Sequence, residues 1–269
     1  MRKSNFMMAT IAGLMGCTGA LAGPITVDGN LVDDWKLDPA TWLTTMLHVQ
    51  STIEDQTGYG AFYLAPGWGG QAYDAEAIYA LIEGNKLFIA LATGHNPNTS
   101  NNPGSNSYGA GDFAIDFGKD GTYELGINIK PTWDTFGVSG GVYKNPTWAL
   151  GLWNSSGSYD PSHPDSLHPT SLIAGTYVGQ AQLAISSGVT GFGASASDMH
   201  YFYEIGLSLD VLTQAGWNGD SFNIHWTENC ANDSILVDPP VPTVPEPGTL
   251  ALLPLGMVGL IALRRRKSA

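Results

Sequence analysis

Hydrophobic and polar residues alternate along many short stretches of this chain, and this alternation is typical of strands in an antiparallel sheet. Ala77, Tyr79 and Leu81 fall on one face of a predicted strand, and the same alternation marks residues 113–117 and 123–129. Because every second residue of a strand points to the same side, we expect these apolar positions to form the core faces of a sandwich.

Segments of this kind recur along the chain and are separated by turn residues. The pattern predicts strands over residues 25–27, 42–50, 76–83, 86–93, 113–117, 122–129, 140–144, 148–153, 177–185, 200–209, 222–227 and 235–237. Gly84-Asn85 predicts a hairpin, and residues 208–215 form the one predicted helix, which ends at Gly216. We therefore predict an all-β fold, a two-sheet antiparallel β-sandwich of jelly-roll type that occupies residues 23–238 as a single domain.

The first 22 residues have the composition of a signal peptide. A basic start is followed by a short apolar stretch and by small residues, Ala20 and Ala22, so cleavage by signal peptidase is expected before Gly23. Residues 14–17 (LMGC) allow an alternative, in which Cys17 is lipidated. After cleavage before Gly23, Cys230 remains as a single cysteine and no internal disulfide forms.

The C-terminal end carries a second targeting pattern. Residues 239–247 are a Pro-rich linker, and residues 248–269 hold an uncharged 15-residue stretch, 249–263, followed by basic residues. A helix of that length covers about 23 Å, which is short for a hydrocarbon core of roughly 30 Å. The basic end predicts a cytoplasmic C-terminus for a membrane-inserted precursor.

This order of features resembles the PEP-CTERM sorting signal. The resemblance rests on the motif Val244, Pro245, Glu246 and Pro247, on the Gly- and Leu-rich stretch, and on Arg264, Arg265 and Arg266. It implies that an exosortase recognises the tag in the inner membrane and that the protein then reaches the cell surface or the extracellular matrix. Such proteins are associated with biofilm and extracellular polysaccharide. A plain C-terminal membrane anchor is the alternative.

The charge of the central segment limits its partners. Between Gly23 and Pro247 there are five Lys, no Arg and all 24 acidic residues, so the net charge there is 5 − 24 = −19. Nucleic acid and anionic lipid need clustered Lys and Arg, and they are therefore excluded as partners. Divalent cations and neutral sugars remain compatible with this charge.

The stretches 25–35, 76–94 and 111–127 together resemble family-nine-type carbohydrate-binding modules and DOMON-like β-sandwiches. Many of these modules contain calcium, and relatives bind sugars or haem. Since hard cations prefer oxygen ligands, carboxylates in turns are the calcium candidates: Asp28, Asp33, Asp34, Asp112, Asp116 and Asp120. No EF-hand pattern is present, and Asp-Gly pairs are also ordinary turn residues.

Flat aromatic rings near loops are candidates for stacking against sugar rings. They are Trp68, Trp133, Trp148 and Trp153, although core packing is the alternative for any tryptophan. The one GxSxG match, residues 137–141, is followed by a predicted strand and not by the helix of a nucleophile elbow, and no HExxH or Walker pattern occurs. The sequence therefore predicts no enzyme and no catalytic residue. We expect a surface protein that contributes to matrix or binds polysaccharide. The alternatives are a secreted polysaccharide hydrolase with paired carboxylates and a calcium-stabilised spacer without a ligand.

Overall fold

A computed structural model of the protein describes residues 25–55, 69–131, 133–152 and 168–241. Within these ranges the chain forms strands β1 (Gln50–Ile53), β2 (Ala75–Glu83), β3 (Lys86–Thr93), β4 (Phe113–Phe117), β5 (Leu125–Ile127), β6 (Gly141–Leu150), β7 (Pro169–Gln180), β8 (Gln182–Ile185), β9 (Tyr201–Ser208), β10 (Phe222–Thr227) and β11 (Ser234–Val237). The helices are α1 (Leu31–Asp34) and α2 (Leu209–Ala215). The two predicted targeting segments lie outside the described residues.

The strands form two antiparallel sheets. The first has five strands in the order β1-β2-β3-β9-β8, and the second has six in the order β11-β10-β4-β5-β6-β7. The predicted hairpin at Gly84 is present, since Glu83 pairs with Lys86 and Gly84 adopts a positive φ of 59°. These pairings confirm the predicted all-β, two-sheet antiparallel class.

The main core lies between the sheets. It combines buried residues of β2, β3 and β9 with residues of β4, β5 and β10, and Ile78, Ile89, Ile115 and Ile127 are all fully buried in it. Trp226 of β10 is also fully buried there, and its indole N–H donates to the carbonyl of Gly111. Burial of such apolar surface is the main stabilising contribution to a sandwich of this kind.

The outer face of the first sheet is covered as well. Trp35 and Trp42 of the N-terminal segment pack with Ala77, Tyr79 and Leu81 in a second buried cluster. The predicted common face of these three β2 residues is confirmed, but it packs beneath the N-terminal segment and not against the opposite sheet. β2 is consequently buried on both sides.

Two predicted strands, 25–27 and 42–50, are wrong. Residues 25–27 form no strand, and they are followed by a bend at Asp28-Gly29, whose N–H groups donate to Glu204 on distant β9, and then by α1. The second contains only the first residue of β1, because Trp42 and His48 adopt positive φ values of 59° and 65° that interrupt an extended chain.

Strand β6 is longer than predicted, and part of the β6–β7 hairpin packs on the outer face of β5. Residues 140–144 and 148–153 were expected as separate strands, but β6 runs continuously from Gly141 to Leu150, with register irregularities around Pro146. A side chain at Gly126 of β5 would collide with Leu172 and Trp148, so the hairpin lies directly over that strand. α2 begins and ends as predicted, with Ser208 accepting from the Asp210 N–H and Gly216 adopting a φ of 117°.

Candidate functional site

A surface cleft of about 490 Å³ lies beside the β6–β7 hairpin. We call it the Trp133 cleft. Its wall combines the loop after β5 with both strands of the hairpin and two further loops. The lining residues are Asn101, Pro103, Trp133, Asp134, Thr135, Phe136, Ala149, Leu150, Leu152, Thr170, Ser171, Leu172, Ile173 and Asn229.

Three buried polar atoms of this lining make no hydrogen bond. They are the indole Nε1 of Trp133, Oδ2 of Asp134 and Nδ2 of Asn229. The other ends of two of these side chains are held in place, because Asp134 Oδ1 accepts from the Phe136 N–H and Asn229 Oδ1 accepts from the Ser171 hydroxyl. The Asp134 oxygen and the Asn229 amide nitrogen are therefore left without a partner beside apolar walls that include Phe136 and Ile173, whereas the indole nitrogen of Trp133 faces Gly109.

Local hydrogen bonds fix the loop that carries Trp133. Asn128 Oδ1 accepts from the Lys130 N–H, and both Asn128 Nδ2 and the Lys130 ammonium donate to the carbonyl of Phe136. Lys130 adopts a left-handed φ of 54° at this bend. Trp133 packs so closely on Gly109 that an added Cβ there would lie 2.2 Å from the indole nitrogen. The tryptophan is thus positioned by a glycine on a different loop.

Asp112 joins the cleft wall to the second sheet. Its Oδ1 accepts from the Ile129 N–H and its Oδ2 from the Leu172 N–H, both at 2.8 Å, and its own N–H donates to Thr170. The side chain is buried, and burial raises its pKa to about 7 although both hydrogen bonds act in the opposite direction. This single carboxyl group holds β7 against the end of β5.

Replacing Asp112 by Asn is expected to destabilise the protein. The new amide nitrogen must face one of the two N–H donors, and leaving a buried N–H without an acceptor costs about 1–3 kcal/mol. Urea unfolding of the full-length chain measures this loss. Asp120→Asn is the matched control, because its Oδ1 can still accept from the Thr122 N–H at an exposed turn. Equal stability of the two variants would contradict the role given to Asp112.

The four predicted sugar-stacking tryptophans do not all lie at the cleft. Trp133 lines the cleft, whereas Trp148 packs near Gly126 and is not part of the cleft lining. Trp68 and Trp153 lie outside the described residues.

The six predicted calcium ligands are distributed over three places. Asp28 accepts from the Asn30 N–H, Asp34 accepts from the Thr26 N–H, and Asp33 accepts from the Asn30 amide, so these three stabilise the turn around α1. Asp112 lies in the joint described above. Asp116 and Asp120 come together with Glu124, and one carboxylate oxygen of each lies within 4.8 Å of the others.

A different group of acids, which the sequence analysis missed, lies where the ends of the two sheets meet. We call it the acid cluster: Glu54, Asp55, Asp74, Glu76, Glu228 and Asp233. Glu54 and Asp55 follow β1, Asp74 and Glu76 flank the irregular start of β2, and the last two belong to the β10–β11 connection. Oxygens of Asp55, Asp74 and Glu76 lie within 4.8 Å of one another.

The acid cluster is held by bonds from several elements. The Ala75 N–H donates to Asp233 Oδ2 at 2.8 Å, and Trp42 and Ala194 donate to Asp55 Oδ2. His200 Nε2 lies 3.1 Å from Glu76 Oε1. Burial raises the pKa of Asp74, and the neighbouring charges of Glu76 and Asp233 raise it further. Such crowding of buried carboxyl groups is costly unless something neutralises them.

Residues 243–267 match the PEP-CTERM protein-sorting motif. The chain therefore carries an exosortase sorting signal, and it is an exported protein whose precursor is anchored in the membrane before the protein reaches the surface. Exosortase is its processing partner. No curated protein matches the chain. Within the described ranges, no helix is both long and apolar enough to cross a bilayer.

Proposed function

We propose that this exported β-sandwich binds neutral extracellular polysaccharide through the Trp133 cleft and catalyses no reaction on it. The observation that supports the proposal is the pair of buried polar atoms of Asp134 and Asn229 that have no hydrogen-bond partner, in a cleft that the indole ring of Trp133 lines. A buried polar group without a partner is costly, and a ligand that bonds to it recovers that cost.

Sugars supply the complementary chemistry. Their hydroxyl groups both donate and accept, so one ring can bond to an amide N–H and a carboxylate, while its C–H face packs on aromatic and apolar walls. A net charge of −19 between Gly23 and Pro247 repels anionic chains, so neutral polysaccharide is the better ligand.

Binding without hydrolysis is supported by the acids available in the cleft. Glycoside hydrolysis takes a pair of carboxyl groups, one on each side of the scissile bond. Asp134 is the one acid among the fourteen lining residues that the structure describes. We therefore infer a matrix or surface role in which the sorted protein holds polysaccharide at the cell envelope.

Trp133→Ala is expected to weaken polysaccharide binding by about tenfold or more, because the aromatic stacking surface of the cleft is lost. Affinity electrophoresis of the full-length chain in gels containing neutral glycans measures the change. Tyr177→Ala is the matched control, since Tyr177 is an aromatic residue that is 52% exposed and does not line the cleft. Unchanged retention of Trp133→Ala, or no retention of the wild type by any neutral glycan, would refute the proposal.

A further inference from the structure

Two side chains of the acid cluster are fully buried with no N–H, hydroxyl or cationic donor on their oxygens within the described residues. Both oxygens of Asp74 and both oxygens of Glu228 lack such a donor, and neither residue has solvent exposure. The groups around them are further acids, since the Asp233 carboxyl group contacts Asp74, and the charges of Asp233, Asp74 and Glu54 act on Glu228. The Gln71 side-chain oxygen and one Glu76 oxygen are also buried without a donor. These oxygens point to a ligand that accepts electron pairs.

The chain offers few groups to balance this charge. Between Gly23 and Pro247 there is no Arg, and the five Lys lie at positions 36, 86, 119, 130 and 144. Lys36 donates near α1, Lys86 lies over Phe88, Lys119 pairs with Asp238 and Lys130 donates to Phe136. Lys144 lies in β6 of the second sheet. Among the described residues, His200 is the basic group that pairs with the cluster, and its partner is Glu76. Neither Asp74 nor Glu228 has a basic partner in this part of the chain.

We propose that the acid cluster binds one divalent cation of the calcium type, with Asp55, Asp74 and Glu76 as central ligands and Glu228 facing them. The donors are oxygens, and Ca²⁺ accepts six to eight oxygen ligands in flexible geometry, whereas Mg²⁺ requires near-ideal octahedral geometry and retains water. Softer metals prefer nitrogen and sulfur. His200 Nε2 is engaged with Glu76, and the Cys230 thiol donates to Asn232.

The cation would join two parts of the chain that are far apart in sequence. Asp55, Asp74 and Glu76 belong to the β1–β2 corner, whereas Glu228 belongs to the connection between β10 and β11. The residues that support this contact already meet, since the Ala75 N–H donates to Asp233. An ion at this point would therefore link the first sheet to the second.

The second group of close acids does not share these properties. Asp116 accepts from the Asp120 and Gly121 N–H groups, Glu124 accepts from the Phe117 N–H, and Asp120 is exposed. Its carboxylates are satisfied by backbone donors in a turn. It is consequently the matched control for the acid cluster.

The test is Ca²⁺ binding by the full-length chain, measured by equilibrium dialysis and by the melting temperature with Ca²⁺ or with chelator. We expect one Ca²⁺ per chain, with a Kd of about 10⁻⁴ to 10⁻³ M as in extracellular modules, and a melting temperature that rises with Ca²⁺ concentration. Asp74→Asn and Glu228→Gln are each expected to weaken binding by at least about tenfold, while Asp116→Asn leaves it unchanged.

Asp74→Asn also separates a lost ligand from a misfolded chain. In chelator this variant is expected to melt at or above the wild-type temperature, because one of several crowded negative charges is removed. The assignment would be overturned if wild type bound no Ca²⁺ and the cluster were neutralised by protons alone. It would equally be overturned if Asp74→Asn bound Ca²⁺ as wild type does, or if Asp116→Asn lost the ion.

Discussion

Glu204→Ala is expected to destabilise the protein by about 3–5 kcal/mol, because two buried donors and one partly buried donor lose their acceptor at once. Glu204 Oε2 accepts from the N–H groups of Asp28 and Gly29 at 3.0 and 2.6 Å, and Oε1 accepts from the Trp35 indole at 2.7 Å. This side chain therefore fastens the N-terminal segment to β9. Urea unfolding of the full-length chain measures the loss, and tryptophan fluorescence reports whether Trp35 becomes exposed.

A graded series strengthens this test. Glu204→Gln retains one acceptor oxygen and is expected to lose less stability than Glu204→Ala. Glu83→Ala, at the partly exposed end of β2, is the matched control and should change stability by no more than about 0.5 kcal/mol. A loss below about 1 kcal/mol for Glu204→Ala would show that the N-terminal segment is held by other contacts.

Acid is expected to destabilise the wild type through His225, and His225→Phe should remove this sensitivity. Burial lowers the pKa of His225 to about 3, with a further contribution from His168, so the folded protein keeps this imidazole neutral. The unfolded chain protonates it below about pH 6.5. Stability contributed by the neutral form is thus complete above that pH, and it falls by about 1.4 kcal/mol per pH unit down to the folded pKa.

The measurement is the difference in unfolding free energy between wild type and His225→Phe across this pH range, which should reach about 3 kcal/mol near pH 4.5. Asp112 acts with the opposite sign, because its raised pKa makes stability fall as pH rises from 3.8 to about 7. That contribution is common to both proteins and cancels in the difference. His48→Gln, at an exposed histidine, is the control. Parallel pH curves for wild type and His225→Phe would contradict the expected role of His225.

Local alternation predicted the central strands well. β3, β4 and β10 have the predicted bounds, because their pattern is carried by residues adjacent in sequence. The errors at 25–27 and 42–50 have non-local or conformational causes: Glu204 captures Asp28 and Gly29 from 175 or more positions away, and Trp42 and His48 adopt left-handed backbone. Neither effect is visible in a hydrophobic pattern.

The candidate sites were predictable only in part. Trp133 was predicted from the sequence as an aromatic residue in a loop. Asp134 and Asn229 could not be predicted, because they line the cleft only when loops distant in sequence come together. The acid cluster joins residues 54–76 to residues 228–233, and no spacing rule connects them. The absence of Arg between Gly23 and Pro247 was the one sequence signal that such acids would lack counter-ions. The position of these acids depends on the pairing of β1 with β2 and of β10 with β11.

The contact between Ala75 and Asp233 spans 158 residues, and that between Gly29 and Glu204 spans 175. Both ends of the domain are therefore completed by partners at the opposite end of the chain. Contacts so distant in sequence make folding slow, since the intervening chain must close into a loop before they form. An exported polypeptide benefits from this delay, because the chain stays unfolded while it crosses the membrane. The topology of the sandwich thus favours folding after translocation.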